Sequence, residues 1–240
     1  GALAITGTVG AGGAGAKTLF LGGSFTGDNT FSGFLLDNNS VNTTGLMKIG
    51  AGTWVLQEAC RQAASWPGRV KVAVNVSGEQ LLDPGFNDSV VTALAMSGLA
   101  AQRLEIEVTE SIFLRDATVA RAALERVMAL GCGVALDDFG TGYSSLGYIR
   151  NMKFSTIKVD RSFVQGAAQG SPESLAIIRA VVAMADSLEM STTAEGVETE
   201  AELELIRKLG CKKIQGYYYG RPMSAEDAAA LFKRQDERRA

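Results

Sequence analysis

The 240-residue chain carries 23 Lys+Arg against 26 Asp+Glu, a net charge of −3, and 46% of its residues are hydrophobic, enough for a substantial core. Its slight acidity, with a pI near 5.2, argues against phosphate-backbone binding to DNA or RNA. It has no histidine, which excludes Ser-His-Asp and Cys-His catalysis and His-ligated zinc, so any chemistry must come from carboxylates, amides, lysine or bound metal.

The composition changes near Gly52. Residues 1–52 hold 13 of the 28 glycines and only 4 charged residues, Lys17, Asp28, Asp37 and Lys48. Short apolar runs at 3–9, 17–21 and 30–36, without sustained 3.6-residue periodicity, predict strands and turns. The run from Gly10 to Gly15 fits GxGxxG, but 17–23 reads as a strand where a phosphate loop needs a helix, so a Gly-rich turn is the better reading. Two domains are therefore expected: a Gly-rich β segment over 1–52 and an alternating α/β unit over 53–240.

From Trp54 the pattern predicts a helix over 54–65 (Val55, Ala59, Ala63), a strand over 70–76, and a strand over 104–109. A helix over 118–130 places Leu124, Val127 and Met128 on one side, with Gly131 as its C-terminal cap. Strands follow over 133–138 and 156–160, then a helix over 173–188 and a strand over 191–196. Thr199 and Glu202 form a capping box opening a helix to Gly210, and a last strand covers 213–217. The repeat is about 28 residues, close to the roughly 31 of a (β/α)8 barrel. A doubly wound open sheet would alternate in the same way; a TIM-type (β/α) barrel is preferred because a polar residue recurs at the end of every strand.

Those residues are Asn75, Glu107, Asp137 and Asp138, Lys158 and Asp160, Glu195, and Gln215. On parallel strands all of them gather at the C-terminal mouth, where barrel enzymes keep their active sites. Five carboxylates in one cup against Lys158 call for a cation. Oxygen-only ligands favour Mg²⁺ or Mn²⁺ over zinc. The three cysteines, Cys60, Cys132 and Cys211, are odd in number and form no CxxC pair, which reads as reduced thiols in a cytoplasmic protein. No apolar run reaches 18 residues, so no membrane span is expected. The chain starts at Gly1 and not at Met, as a fragment would; an upstream targeting segment stays open.

Several motifs, in order and spacing, resemble the EAL family of cyclic di-GMP phosphodiesterases over about 52–232. They are the helix from Trp54, Asn75-Val-Ser, Glu107-Val-Thr-Glu110, Asp137-Asp-Phe-Gly-Thr-Gly-Tyr-Ser-Ser-Leu146, Lys158-Val-Asp160, Ala194-Glu-Gly-Val-Glu-Thr199 and Gln215-Gly-Tyr. The resemblance implies a barrel that hydrolyses cyclic di-GMP to pGpG with two divalent metals. It implies Asn75, Glu107 and Asp137 as ligands of one metal, with Asp137, Asp138 and Glu195 at the second. Lys158 is implied to orient the attacking water, with Asp160 and Gln215 in support. Glu110 would hold the loop of Phe139, Gly140, Thr141, Gly142 and Ser144, which in the family couples metal binding to dimer contacts; a homodimer is thus also implied.

The chain departs from the family at its start. The Glu-Ala-Leu motif that supplies a metal ligand is absent, and the first Glu in the chain is Glu58. In place of the family's first strands stands the Gly-rich segment, where 27–33 and 46–56 resemble repeat units of autotransporter passenger β-helices. Its apolar runs are expected to replace the missing strands. Weak or absent turnover is expected, with two alternatives: a non-catalytic cyclic di-GMP sensor, or a structural fusion product without ligand function.

Overall fold

The computed structural model describes residues 54–67, 70–140, 147 and 152–237, together with the backbone of six short strands between residues 4 and 49. Those strands are β1 (Ala4–Ile5), β2 (Thr8–Gly10), β3 (Lys17–Gly22), β4 (Thr30–Phe31), β5 (Phe34–Leu36) and β6 (Thr44–Ile49). They pair in parallel as β1–β4, β2–β5 and β3–β6, with Ala4 opposite Thr30, Thr8 opposite Phe34 and Lys17 opposite Thr44. Among the described residues these strands pair with one another and not with the larger sheet.

That larger sheet has six parallel strands in sequential order: β7 (Val72–Asn75), β8 (Leu104–Thr109), β9 (Gly133–Phe139), β10 (Thr156–Val159), β11 (Ser191–Ala194) and β12 (Lys213–Ile214). This is the predicted barrel order, curled as an eight-stranded barrel would be, with six strands among the described residues. The strands over 70–76, 191–196 and 213–217 are shorter than expected. The chain leaves the ladder after Ala194 because Gly196 turns it with φ of +69°, and the backbone at 215–218 bonds to Val197 across that turn.

The helices are α1 (Trp54–Ala64), α2 (Gly78–Leu81), α3 (Phe86–Ser97), α4 (Ile112–Ala129), α5 (Arg161–Ala168), α6 (Pro172–Ser187), α7 (Glu200–Lys208) and α8 (Ala225–Glu237). α1 packs on β7, α4 on β9, and α6 on β10 and β11. Strand residues alternate in direction. Ile106, Val108, Val134, Leu136, Ile157 and Val159 form the helix-facing row and belong to one buried core. Each such side chain contributes about 1.5–3 kcal/mol on burial. The opposite row is the barrel interior, and it carries Glu105, Glu107, Asp137, Thr156 and Lys158, all buried.

α4 begins at Ile112, six residues before the predicted start, but it is interrupted. Asp116 has φ −149° and ψ 90°, and its carboxylate accepts from the backbone N–H of Thr118 and Val119 at 3.1 and 3.0 Å. The periodicity read from 118 is the segment that this carboxylate caps. Gly131 follows with φ of +95°, as the C-terminal cap requires. The Thr199–Glu202 capping box is formed with both of its bonds. α2, α3, α5 and α8 were not expected from the sequence.

Candidate metal and phosphate site

The strand ends bring most of the sequence-predicted residues together. Parallel register sets Asn75 beside Glu107 and Asp137 beside Thr109, and Lys158 beside Thr193. Glu195 is the first residue past β11. The centre of the cluster is the Lys158 ammonium, whose Nζ lies 2.6 Å from Glu195 Oε1, 2.9 Å from Glu107 Oε2 and 3.1 Å from Asp137 Oδ1. The Lys158 side chain is only 5% exposed, so these contacts act with little screening by water. Burial by itself would lower the Lys158 pKa, but its bonds to Glu195 and Glu107 outweigh that and raise it well above the usual lysine range.

Three carboxylates against one ammonium leave an excess of negative charge. Burial raises the Glu195 carboxyl; its bond to Lys158 pulls the other way, but the Asp137 and Glu107 charges add to the rise. Burial also raises Asp138, followed by repulsion from Asp137 and Asp160, with Lys158 as the opposing influence. Asp138 has φ of +53°. That left-handed backbone turns its exposed side chain away from the strict alternation of β9. Its N–H donates to Asp137 Oδ1 at 3.0 Å. One carboxylate oxygen from each of Asp137, Asp138 and Glu195 lies within 4.8 Å of the others. That all-oxygen donor set fits a hard divalent cation such as Mg²⁺ or Mn²⁺.

The remaining sequence-predicted residues occupy distinct positions. Asn75 closes the outer strand β7 and Gln215 directly follows the outer strand β12; both are exposed. Asp160 is the N-cap of α5: its carboxylate accepts from the Ser162 N–H at 2.9 Å and from the Ser162 hydroxyl. Its charge still reaches Asp138. Glu110 Oε1 accepts from the Gly140 N–H at 3.4 Å, and Phe139, just before Gly140, is buried. Gly140 has φ of +91°, a conformation that favours glycine, and a Cβ there would stand 3.1 Å from the Phe163 ring. Thr141, Gly142 and Ser144 lie outside the described residues.

Glu105 was not singled out from the sequence. It is buried, on the same face of β8 as Glu107, and its Oε1 accepts from the hydroxyls of Ser155 and Thr156 at 2.7 and 2.8 Å. Its spacing of two residues from Glu107 on a strand is the signal that could have found it.

The EAL domain family matches residues 41–222. The bifunctional diguanylate cyclase/cyclic di-GMP phosphodiesterase MucR of Pseudomonas aeruginosa is 44% identical over 191 residues, 78% of this chain and 28% of that protein. The cyclic di-GMP phosphodiesterase NbdA of the same organism is 41% identical over 174 residues, 71% of this chain and 22% of that protein. The chain thus spans less than a third of the length of these curated relatives. Among solved structures, the MucR phosphodiesterase in complex with cyclic di-GMP aligns with a TM-score of 0.70 and 44% identity, covering 73% of this chain and 72% of that one. The EAL domain of Mycobacterium smegmatis DcpA aligns with a TM-score of 0.71 and 35% identity, covering 75% and 83%. A manganese and cyclic di-GMP complex of Klebsiella pneumoniae BlrP1 aligns with a TM-score of 0.66 and 30% identity, covering 71% and 44%. The parallel barrel sheet, the acidic mouth around Lys158 and the match over 41–222 together place this chain in the EAL domain family.

Proposed function

We propose that this domain binds cyclic di-GMP at the mouth of its barrel through divalent cations and hydrolyses one phosphodiester bond to give pGpG, with turnover impaired by the missing Glu-Ala-Leu glutamate. The observation that carries this reading is the convergence of Asp137, Asp138 and Glu195 beside the buried Lys158 ammonium. Asp137, Asp138 and Glu195 would hold one cation, and Asn75, Glu107 and Asp137 the other. Bound Mg²⁺ or Mn²⁺ supplies charge neutralisation at the phosphate and a water acidic enough to act as nucleophile at neutral pH.

The chain's own groups have separable tasks. Lys158 offsets phosphate charge and orients the attacking water. Its bonds to Glu107, Asp137 and Glu195 fix its reach and link strands β8, β9 and β10 with the residue after β11. Asp160 fixes the start of α5 and contributes charge beside Asp138, and Gln215 completes the rim. Glu110 tethers the loop that starts at Gly140, and that loop is the natural element to couple the site to a second copy of the domain.

The N-terminal segment is read as a separate β unit. Its strands pair in parallel with partners 26 or 27 residues further on. Three unpaired buried thiols support a reducing, cytoplasmic setting. No helix of the described residues is long and apolar enough to cross a membrane.

The test is incubation of the purified chain with cyclic di-GMP and Mg²⁺ or Mn²⁺, following pGpG formation and nucleotide binding together. Slow, metal-dependent turnover lost in Asp137→Asn is the expected result. Binding without turnover would make the domain a sensor, and neither activity in a folded protein would leave a structural product.

A further inference from the structure

Below the site, the same strands carry a second polar layer. Glu105 lies two residues before Glu107 on β8, and Thr156 lies two residues before Lys158 on β10. All four are buried on the interior face. In the upper layer the bond runs from β10 to β8, Lys158 Nζ to Glu107 at 2.9 Å. In the lower layer it runs the same way, from the Thr156 hydroxyl to Glu105 at 2.8 Å and from the Ser155 hydroxyl to the same oxygen at 2.7 Å. Both links must cross β9, which lies between β8 and β10. The crossing is open because β9 presents Gly133 opposite Glu105 and Ala135 opposite Glu107. A Cβ at Gly133 would stand 3.2 Å from Glu105 Oε1 and 3.0 Å from Ser155 Oγ. The Thr156 hydroxyl also accepts from Lys213 Nζ on β12 at 3.3 Å, which extends the layer across the sheet.

We propose that Glu105 is a positioning residue: through Thr156 it fixes the spacing of β8 and β10, and so sets the reach of the Lys158 ammonium into the carboxylates that hold the cation. The metal-binding part of this inference rests on the function proposed above. Its geometric part does not. A buried carboxylate with two hydroxyl donors is expensive to keep unless both bonds are made. Its removal lets the two strands relax against each other by tenths of an ångström directly below Lys158. The groups one layer out from a metal commonly carry 10- to 100-fold in affinity, by holding the ligands in place.

The experiment uses the full chain labelled with ¹⁵N-lysine. The protected Lys158 ammonium signal is assigned by its loss in Lys158→Met, and Mn²⁺ binding is measured in parallel by electron paramagnetic resonance. In Thr156→Val and Glu105→Leu the Lys158 signal should broaden into exchange with water, and Mn²⁺ affinity should fall about 10-fold or more. Glu105→Gln keeps an acceptor for both hydroxyls and should restore both readouts. Thr156→Val, nearly equal in shape, carries the test if Glu105→Leu does not fold. A lower melting temperature with an unchanged Lys158 signal and unchanged Mn²⁺ affinity would reduce Glu105 to a stability residue and overturn the proposal. If the unmodified chain binds no Mn²⁺, the functional reading fails, and the Lys158 signal alone decides whether Glu105 positions the ammonium.

Discussion

Lys158 on β10 and Glu195 just past β11 are joined at 2.6 Å, the shortest of the three ion pairs that surround the Lys158 ammonium. The pair spans two adjacent strands at the mouth of the barrel. Its ammonium is the charge that lets Glu107, Asp137 and Glu195 stay close together in a site where water is scarce.

Lys158→Met should therefore destabilise the metal-free domain by about 3–5 kcal/mol, the usual consequence of leaving buried charges without their partner. Added Mn²⁺ should restore part of that loss by supplying positive charge to the same carboxylates. Thermal melting of the variant with and without Mn²⁺ checks this; a variant as stable as the unmodified protein, or indifferent to Mn²⁺, would contradict it.

Gly140→Ala should weaken the tether of the loop after β9. The substitution meets the left-handed φ of +91° and the Phe163 ring at 3.1 Å, for a cost of about 1–2 kcal/mol from the backbone alone. The Gly140 N–H then moves off Glu110 Oε1, already at 3.4 Å. Urea melts should show the loss, and hydrogen exchange should quicken at residue 140 while the core strands β8 and β10 stay protected.

Gly216→Ala should cost more, on the order of 3 kcal/mol, because a Cβ would run into the backbone of Val197, which cannot swing away like a side-chain tip. Val197 donates to the Gln215 carbonyl at 3.2 Å and accepts from the Tyr218 N–H at 3.0 Å. The displacement thus falls on the segment that carries Glu195. Ligand binding should weaken along with stability, which isothermal titration of the folded variant can separate from unfolding.

The thiols predict an alkaline limit. Burial pushes Cys60, Cys132 and Cys211 up to about 11, from an ordinary value of 9.0. Between those values the unfolded chain has released its thiol protons while the folded chain still holds them. Proton linkage therefore makes stability fall as pH rises from about 9 to about 11. Chemical denaturation across that range should show a falling midpoint that Cys→Ala variants flatten, and alkylation of all three thiols should await unfolding.

The alternation of strands and helices after residue 54 and the polar strand ends were legible because each rests on a local pattern, period two in the strands and 3.6 in the helices. α3 was missed although Phe86, Val90 and Ala93 recur at helical spacing and are buried, because the segment lacks a capping side chain at Gly85 to announce its start. The Asp160 carboxylate caps α5 while its charge also acts on Asp138 in the cluster, and sequence does not reveal which neighbour an acid will bond. The Lys158 cage and the Glu105 layer depend on which strands become neighbours across β9. Residues 105 and 156 are far apart in the chain, and no local pattern joins them.

The proposed metal site is tested most directly by Mn²⁺ binding to the metal-free chain, measured by electron paramagnetic resonance in the unmodified protein and in Asp137→Asn. It predicts saturable binding that tightens when cyclic di-GMP is added and is lost in Asp137→Asn. No saturable binding by the folded protein, or equal binding in Asp137→Asn, would contradict it.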